Sequence, residues 1–364
     1  MLISRWFLSA GLIVLAATSM PALAQSDTKA KTGSPVDNLP AHITQLTHFG
    51  QRADWSHDSK RILFLEKTYG DVFELDVATR IIRPITHHYY HEGYTRALYL
   101  ADGNILLSGS HTFDAEDPGK SREVTAELWV LDKSLKHPPQ PLGEFCSEGP
   151  AVSRAQMRIA WAVRAQNYPA EMVEDSSQIW LADIAYEDGA PKLVGTRKIL
   201  DTEEMPMEIE LETQNFRPGE EKEIIFSGYH FWGGEVMGVN IETGRVRNYS
   251  HGLGTYEEPE GIFPDGEYTT VERVVTQEDA FEGLPPLDIW KLKLDEGGTV
   301  HQPRPRTWER ITYYSEYPGY LGTNPVISDD GRYMAFQLAR PVDQAGVGHG
   351  LFIYDFKKAP KKSE

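Results

Sequence analysis

The chain has 364 residues, one cysteine, and 36 Lys and Arg against 54 Asp and Glu, for a formal net charge of -18. So acidic a surface repels nucleic acid and anionic lipid. The single Cys146 excludes an internal disulfide and is expected to be a packed small apolar residue, not a nucleophile.

The first element is a leader. Arg5, the apolar run from Trp6 to Ala17 and Ala22-Leu23-Ala24 before Gln25 describe a signal peptide over residues 1–24. The run is shorter than the roughly 20 residues a membrane span needs, and no later segment replaces it. Losing Arg5 takes the charge from -18 to -19. The mature protein is therefore expected in the periplasm or the medium, without a membrane span and as a monomer. Residues 25–41 are a polar linker of disordered composition, and residues 357–364 a basic, solvated tail.

Between residues 42 and 356 one phrase recurs six times: an apolar strand, a tight polar turn, a second apolar strand, and a third strand such as Ile179-Trp180-Leu181. The turns are Ser56-His57-Asp58-Ser59, Ala101-Asp102-Gly103, Ser153-Arg154-Ala155-Gln156, Arg217-Pro218-Gly219, Pro264-Asp265-Gly266 and Ser328-Asp329-Asp330-Gly331. Asx and Gly residues tolerate the positive φ of tight hairpins. Five copies continue into an outer strand, as in Ile81–Thr86 and Trp308–Thr312, whereas the sixth stops near Asp355. Its missing strand is supplied by Ile43-Thr44-Gln45-Leu46-Thr47-His48, which reads like the other outer strands and precedes the first hairpin. The expectation is an all-β, six-bladed β-propeller of four-stranded antiparallel blades, the last closed by the N-terminal strand.

The Ser-x-Asp-Gly hairpin, the Ile-Trp or Ile-Tyr strand, the Leu/Ile-Thr outer strand and the circular offset together resemble the TolB-like six-bladed β-propeller family over about residues 42 to 356. That resemblance is specific for fold and nearly silent on function.

Second-to-third loops and blade-to-blade segments share one face of such a ring. The long loops fall there: Ser110 to Thr125, Gln166 to Ser176, Gln277 to Pro286 and Arg340 to Gly348. Binding is commonly placed on such a face. The segments entering the axial strands carry Gln51, Arg52, Tyr94, Arg96, Glu148, Glu212, Glu258 and Asn324, the candidate ligand-binding residues. Aromatic and hydrogen-bonding groups in a rigid concavity suit a saccharide, a peptide or an envelope protein partner. The pair Phe231-Trp232, if exposed, supports docking of such a partner.

Histidine is the second signal. His111 and His230 end equivalent second strands and His349 begins a third strand on the same face. With His88 and His91 they are candidate ligands for a divalent cation, Mn, Zn or Ca, although no closely spaced metal motif is present. Three functions follow. The first is an extracytoplasmic binding or scaffold module, favoured because the chain has no nucleophile elbow, phosphate loop or dinucleotide fingerprint. The second is a metal-assisted lyase of uronate-containing oligosaccharides, because the propeller also resembles the oligogalacturonate lyases, which use a metal and histidines in the channel mouth. There Arg52 or Arg96 binds the sugar carboxylate and His88, His91, His230 or His349 serves as ligand or base. The third, a remnant of a propeller-fused peptidase, lacks a hydrolase domain and ranks last.

Overall fold

The computed structural model describes residues 30–360 apart from 231–232, 252–253, 276–285, 296–297, 300–301, 304–306 and 344–345. The leader at 1–24, the Phe231-Trp232 pair and most of the loop after Gln277 lie outside the described residues. No described helix is long and apolar enough to cross a membrane.

Six four-stranded antiparallel sheets follow one another around a ring. Blades 1 to 5 span residues 51–84, 96–145, 151–201, 210–248 and 257–310. Blade 6 consists of Leu321–Ile327, Tyr333–Ala339, Leu351–Asp355 and, on its outer edge, Ile43–Gln45 from the start of the chain. Ile43 pairs with Tyr354, Thr44 with Ile353 and Gln45 with Phe352, so the expected closure is present. A buried apolar cluster lies between each pair of neighbouring blades. Between blades 6 and 1 it contains Trp55, Ile62, Phe64, Ala335, Leu351 and Ile353.

The sequence motifs have visible physical causes. In the turn at Ser56, Oγ bonds Asp58 Oδ1 at 2.6 Å and accepts the Arg61 N–H at 2.9 Å; Ser328 does the same with Asp330 and Tyr333, at 2.6 and 2.9 Å. Ser and Asp thus saturate the turn from within. The Thr of the outer-strand motif closes a gap in the ladder. Thr86 Oγ1 accepts the N–H of Val72, Thr312 that of Ile289 and Thr47 that of Leu351, each at 2.9 Å. Thr202 and Ser250 do so for Ser177 and Val236, also at 2.9 Å. The outer strand of blade 1 is therefore only Ile82–Pro84, shorter than the run expected from sequence, because a side chain replaces the backbone beyond it.

The loop after Ser110 also differs from expectation, since it holds a short helix, Pro118–Glu123. Pro118 opens it and the Asp117 carboxylate accepts the Lys120 N–H at 3.2 Å, a strong pair of start signals.

Candidate ligand site on the ring axis

The innermost strands are irregular where they approach the axis. Register shifts interrupt their pairing between Gln51 and Asp54, Thr213 and Asn215, Pro259 and Gly261, and Thr323 and Val326. Arg52, Glu148 and Asn324 adopt positive φ angles of 54°, 63° and 47°. Such bulges re-aim side chains, and strained non-glycine residues concentrate at functional positions.

On the long-loop side these strands enclose a cavity of about 310 Å³. A second cavity of about 320 Å³ opens on the hairpin-turn side. Arg52, Arg96, Glu260 and Asn324 line both and form the partition. Across the lower opening Arg154 of blade 3 reaches Asp329 Oδ1 at 2.6 Å and the Trp55 carbonyl at 2.6 Å, bracing blades 6 and 1.

The upper cavity is lined mostly by polar side chains. Arg96 Nη2 lies 3.3 Å from Glu212 Oε1, and the Tyr229 hydroxyl donates to Glu212 Oε2 at 3.0 Å. Gly149 makes room for that guanidinium, because a Cβ there would sit 2.5 Å from Arg96 Nε. From the short helix Arg122 donates Nε and Nη2 to Glu148 Oε2 at 2.9 and 2.5 Å. The Tyr256 hydroxyl bonds Glu258, and Asn324 donates its Nδ2 to Glu260 at 2.7 Å and its backbone N–H to Glu272 at 2.5 Å. Gln51, 2% exposed, donates to Thr68 Oγ1 at 2.7 Å.

Burial raises the carboxyls of this cluster, and crowding among them adds to it. Glu212 is pushed up to about 8 by burial, with Glu148 and Glu258 next in effect. Glu258 rises to about 7 through burial and the nearby Glu260, and Glu260 to about 7 through burial and Glu212, against the pull of Arg96. Glu272 is raised by burial, Glu258 and Glu260. Three polar atoms on residues of the cavity wall are buried without a hydrogen-bond partner, Arg52 Nη1, Arg164 Nε and Thr323 Oγ1.

Seven of the eight expected ligand-binding residues therefore line the upper cavity: Gln51, Arg52, Arg96, Glu148, Glu212, Glu258 and Asn324. Tyr94, 4% exposed, instead joins the apolar cluster between blades 1 and 2. Arg122, Arg164, Tyr229 and Glu272 also line the cavity and were not among the candidates.

The histidines do not meet. His91 Nδ1 accepts the Gly93 N–H and Nε2 faces Asp71 Oδ1, both at 2.9 Å, in the segment between blades 1 and 2. His88 bonds the Leu135 carbonyl at 3.2 Å, and His111 meets Trp129 edge to face with Nε2 3.2 Å from Glu127. His230 lies 3.6 Å from Glu235, and His349 2.5 Å from Asp343 at the cavity rim. Among the described residues no three His, Cys, Asp or Glu are disposed to hold a metal ion. The described residues do not fit the metal centre implied by the lyase resemblance.

No protein-family model matches the sequence, and no curated protein does. Solved structures do resemble the fold. An oligogalacturonate lyase in complex with manganese is 13% identical, covering 86% of this chain and 79% of that one, with a TM-score of 0.50. A TolB from Agrobacterium tumefaciens is 14% identical over 78% of this chain and 96% of its own, with a TM-score of 0.49. An oligogalacturonate lyase from Vibrio parahaemolyticus is 12% identical over 88% and 94%, at 0.47. The chain is a six-bladed β-propeller. At these identities the likeness is one of fold, and the chemistry of this ring must be argued from its own axis.

Proposed function

We propose that this six-bladed propeller is an exported ligand-binding protein that takes a small polar molecule into the axial cavity on its long-loop face. One observation carries the reading: the upper cavity holds Arg52 Nη1 and Thr323 Oγ1 buried and without partners, on strands bulged toward the axis. Buried polar atoms are normally satisfied, and a bound ligand is the simplest partner for such atoms on residues that line one cavity. The ring supplies rigidity and the cavity, at about 310 Å³, lies at the small end of ligand pockets. Export rests on the leader at residues 1–24.

The lyase reading retains one support. Carboxyls that titrate near neutrality beside Arg96 suit proton transfer next to an anchored sugar carboxylate. The acidic excess opposes a polyanionic substrate, so binding is placed first. The test is a thermal-shift screen of the mature protein against neutral sugars, uronates, amino acids and amines, repeated on Arg52→Gln. A ligand that raises Tm in the wild type and not in R52Q supports the site. A ligand whose effect survives R52Q and N324A alike places binding elsewhere on the ring.

A further inference from the structure

We propose that the upper axial cavity binds a small ammonium-bearing molecule, a primary amine whose other end offers a hydrogen-bond acceptor to Arg52. This rests on the axial cavity being the ligand site.

Blade 5 forms one wall of the cavity with Glu258 and Glu260 from its first strand and Glu272 from its second. They are 8%, 8% and 5% exposed. Glu258 and Glu272 are direct cross-strand partners, an arrangement of like charges that destabilises a sheet. Their bonds come from neutral donors. Glu258 takes the Tyr256 hydroxyl and Gln214 Nε2 at 3.5 Å, Glu260 takes Asn324 Nδ2, and Glu272 takes the Asn324 N–H. Among the described residues none of the three forms an ion pair with Lys or Arg. Arg96 is bonded to Glu212 and attracts Glu260 through space without an ion pair, and Arg122 is held by Glu148.

Carboxyls alone would merely share protons; the unpartnered atoms give the site its direction. Thr323, 7% exposed, lines the same cavity with a hydroxyl that has no partner and can accept an N–H. An ammonium group has three donors for this collection of acceptors. A metal ion is the poorer match, since no group of three carboxylates or imidazoles among the described residues is disposed to hold one. Arg52 Nη1 lacks an acceptor, which a carboxylate or carbonyl on the ligand provides. Tyr229 and Tyr256, stacked with centroids 6.1 Å apart, offer ring surface for the methylenes between the two ends. The volume suits a molecule of amino-acid size.

Calorimetric titration of the mature protein with L-lysine, cadaverine and digalacturonate tests this. Both amines are expected to bind, lysine more tightly. The double variant E258Q/E272Q should weaken both by about tenfold or more while melting no lower than wild type without ligand, because two opposed carboxyls have been neutralised. R52Q should erase the advantage of lysine and leave cadaverine unchanged. Digalacturonate binding that R52Q abolishes, with no amine binding, would keep the cavity as the site and overturn the ammonium class. Absence of binding by all three probes would overturn this inference, leaving the site itself to the wider screen. A lowered Tm in E258Q/E272Q together with unchanged amine affinity would make the glutamates structural.

Discussion

Replacing Glu258 by Gln tests the electrostatics of the axis directly. Its carboxyl ordinarily titrates at 4.5 and is held at about 7 in the fold, first by burial and then by Glu260. The unfolded chain loses this proton near pH 4.5, whereas the folded ring keeps it to about 7. Stability from this group is therefore full below pH 4.5 and is lost as pH rises to about 7. A gap of about 2.5 at about 1.4 kcal/mol per pKa unit amounts to about 3 kcal/mol. The amide of the E258Q variant keeps the size and hydrogen bonding of the side chain and carries no such dependence. Urea unfolding of wild type and E258Q at intervals from pH 4.5 to 8.5 should show the stability difference growing in favour of the variant by about 3 kcal/mol. His57 is raised chiefly by its bond to Asp329 and contributes over part of the same range, but it is present in both proteins and cancels. A difference that stays flat across this range would mean that Glu258 ionises like an exposed glutamate and would refute the account of the cavity.

Thr312→Val should strand the buried N–H of Ile289 at a cost of about 2 kcal/mol, lowering Tm by about 4 °C. Thr312→Ser, which keeps the hydroxyl, should recover most of this in the same melting assay. Deleting residues 42–48 removes the burial of Ile43, about 2 kcal/mol, and the bonds from Leu46, Asp355 and Leu351, about 1 kcal/mol each. The sum is of the order of the whole stability of a domain, so the truncated chain should unfold or aggregate; a sharp wild-type melt would contradict the closure. Cys146 is fully buried with its thiol pushed up by that burial, so thiol reagents should label it only in denaturant.

The blades were legible in sequence because their punctuation is local. Ser56, Asp58, Ser328 and Asp330 close their turns with their own side chains, and Thr47, Thr86 and Thr312 bond within their own blades. The closing strand was legible for the same reason, since Leu46-Thr47 repeats Ile85-Thr86 and Ile311-Thr312. The axial residues were legible through topology: whatever leads into an innermost strand points at the ring centre, which places Arg52, Arg96, Glu148, Glu212, Glu258 and Asn324. Arg122 was not, because a helix folds it back from a loop and only tertiary packing sets its direction. Glu272 carried a signal that could have been used, a lone carboxylate following the neutral, mostly buried run Tyr268-Thr269-Thr270-Val271. Histidine positions misled for a related reason. Equivalent places in two blades lie a blade apart in space, and Asp71, Glu127, Glu235 and Asp343 each hold a histidine near its own blade.

The axis departs from the economy of the rest of the ring. The buried Asp288 is matched, receiving Arg310, Thr312 and the Tyr314 N–H at 2.6, 2.8 and 2.8 Å. On blade 5 three carboxyls face one cavity and, among the described residues, none forms an ion pair with Lys or Arg; two of them are directly opposed, and Asn324 adopts positive φ to reach two of the three. A structural role would be served as well by amides, which make the same hydrogen bonds without repulsion. Retaining the acids makes physical sense when a positively charged group enters the cavity, because repulsion in the empty ring then becomes attraction in the filled one, and the difference between the two states is what binding measures.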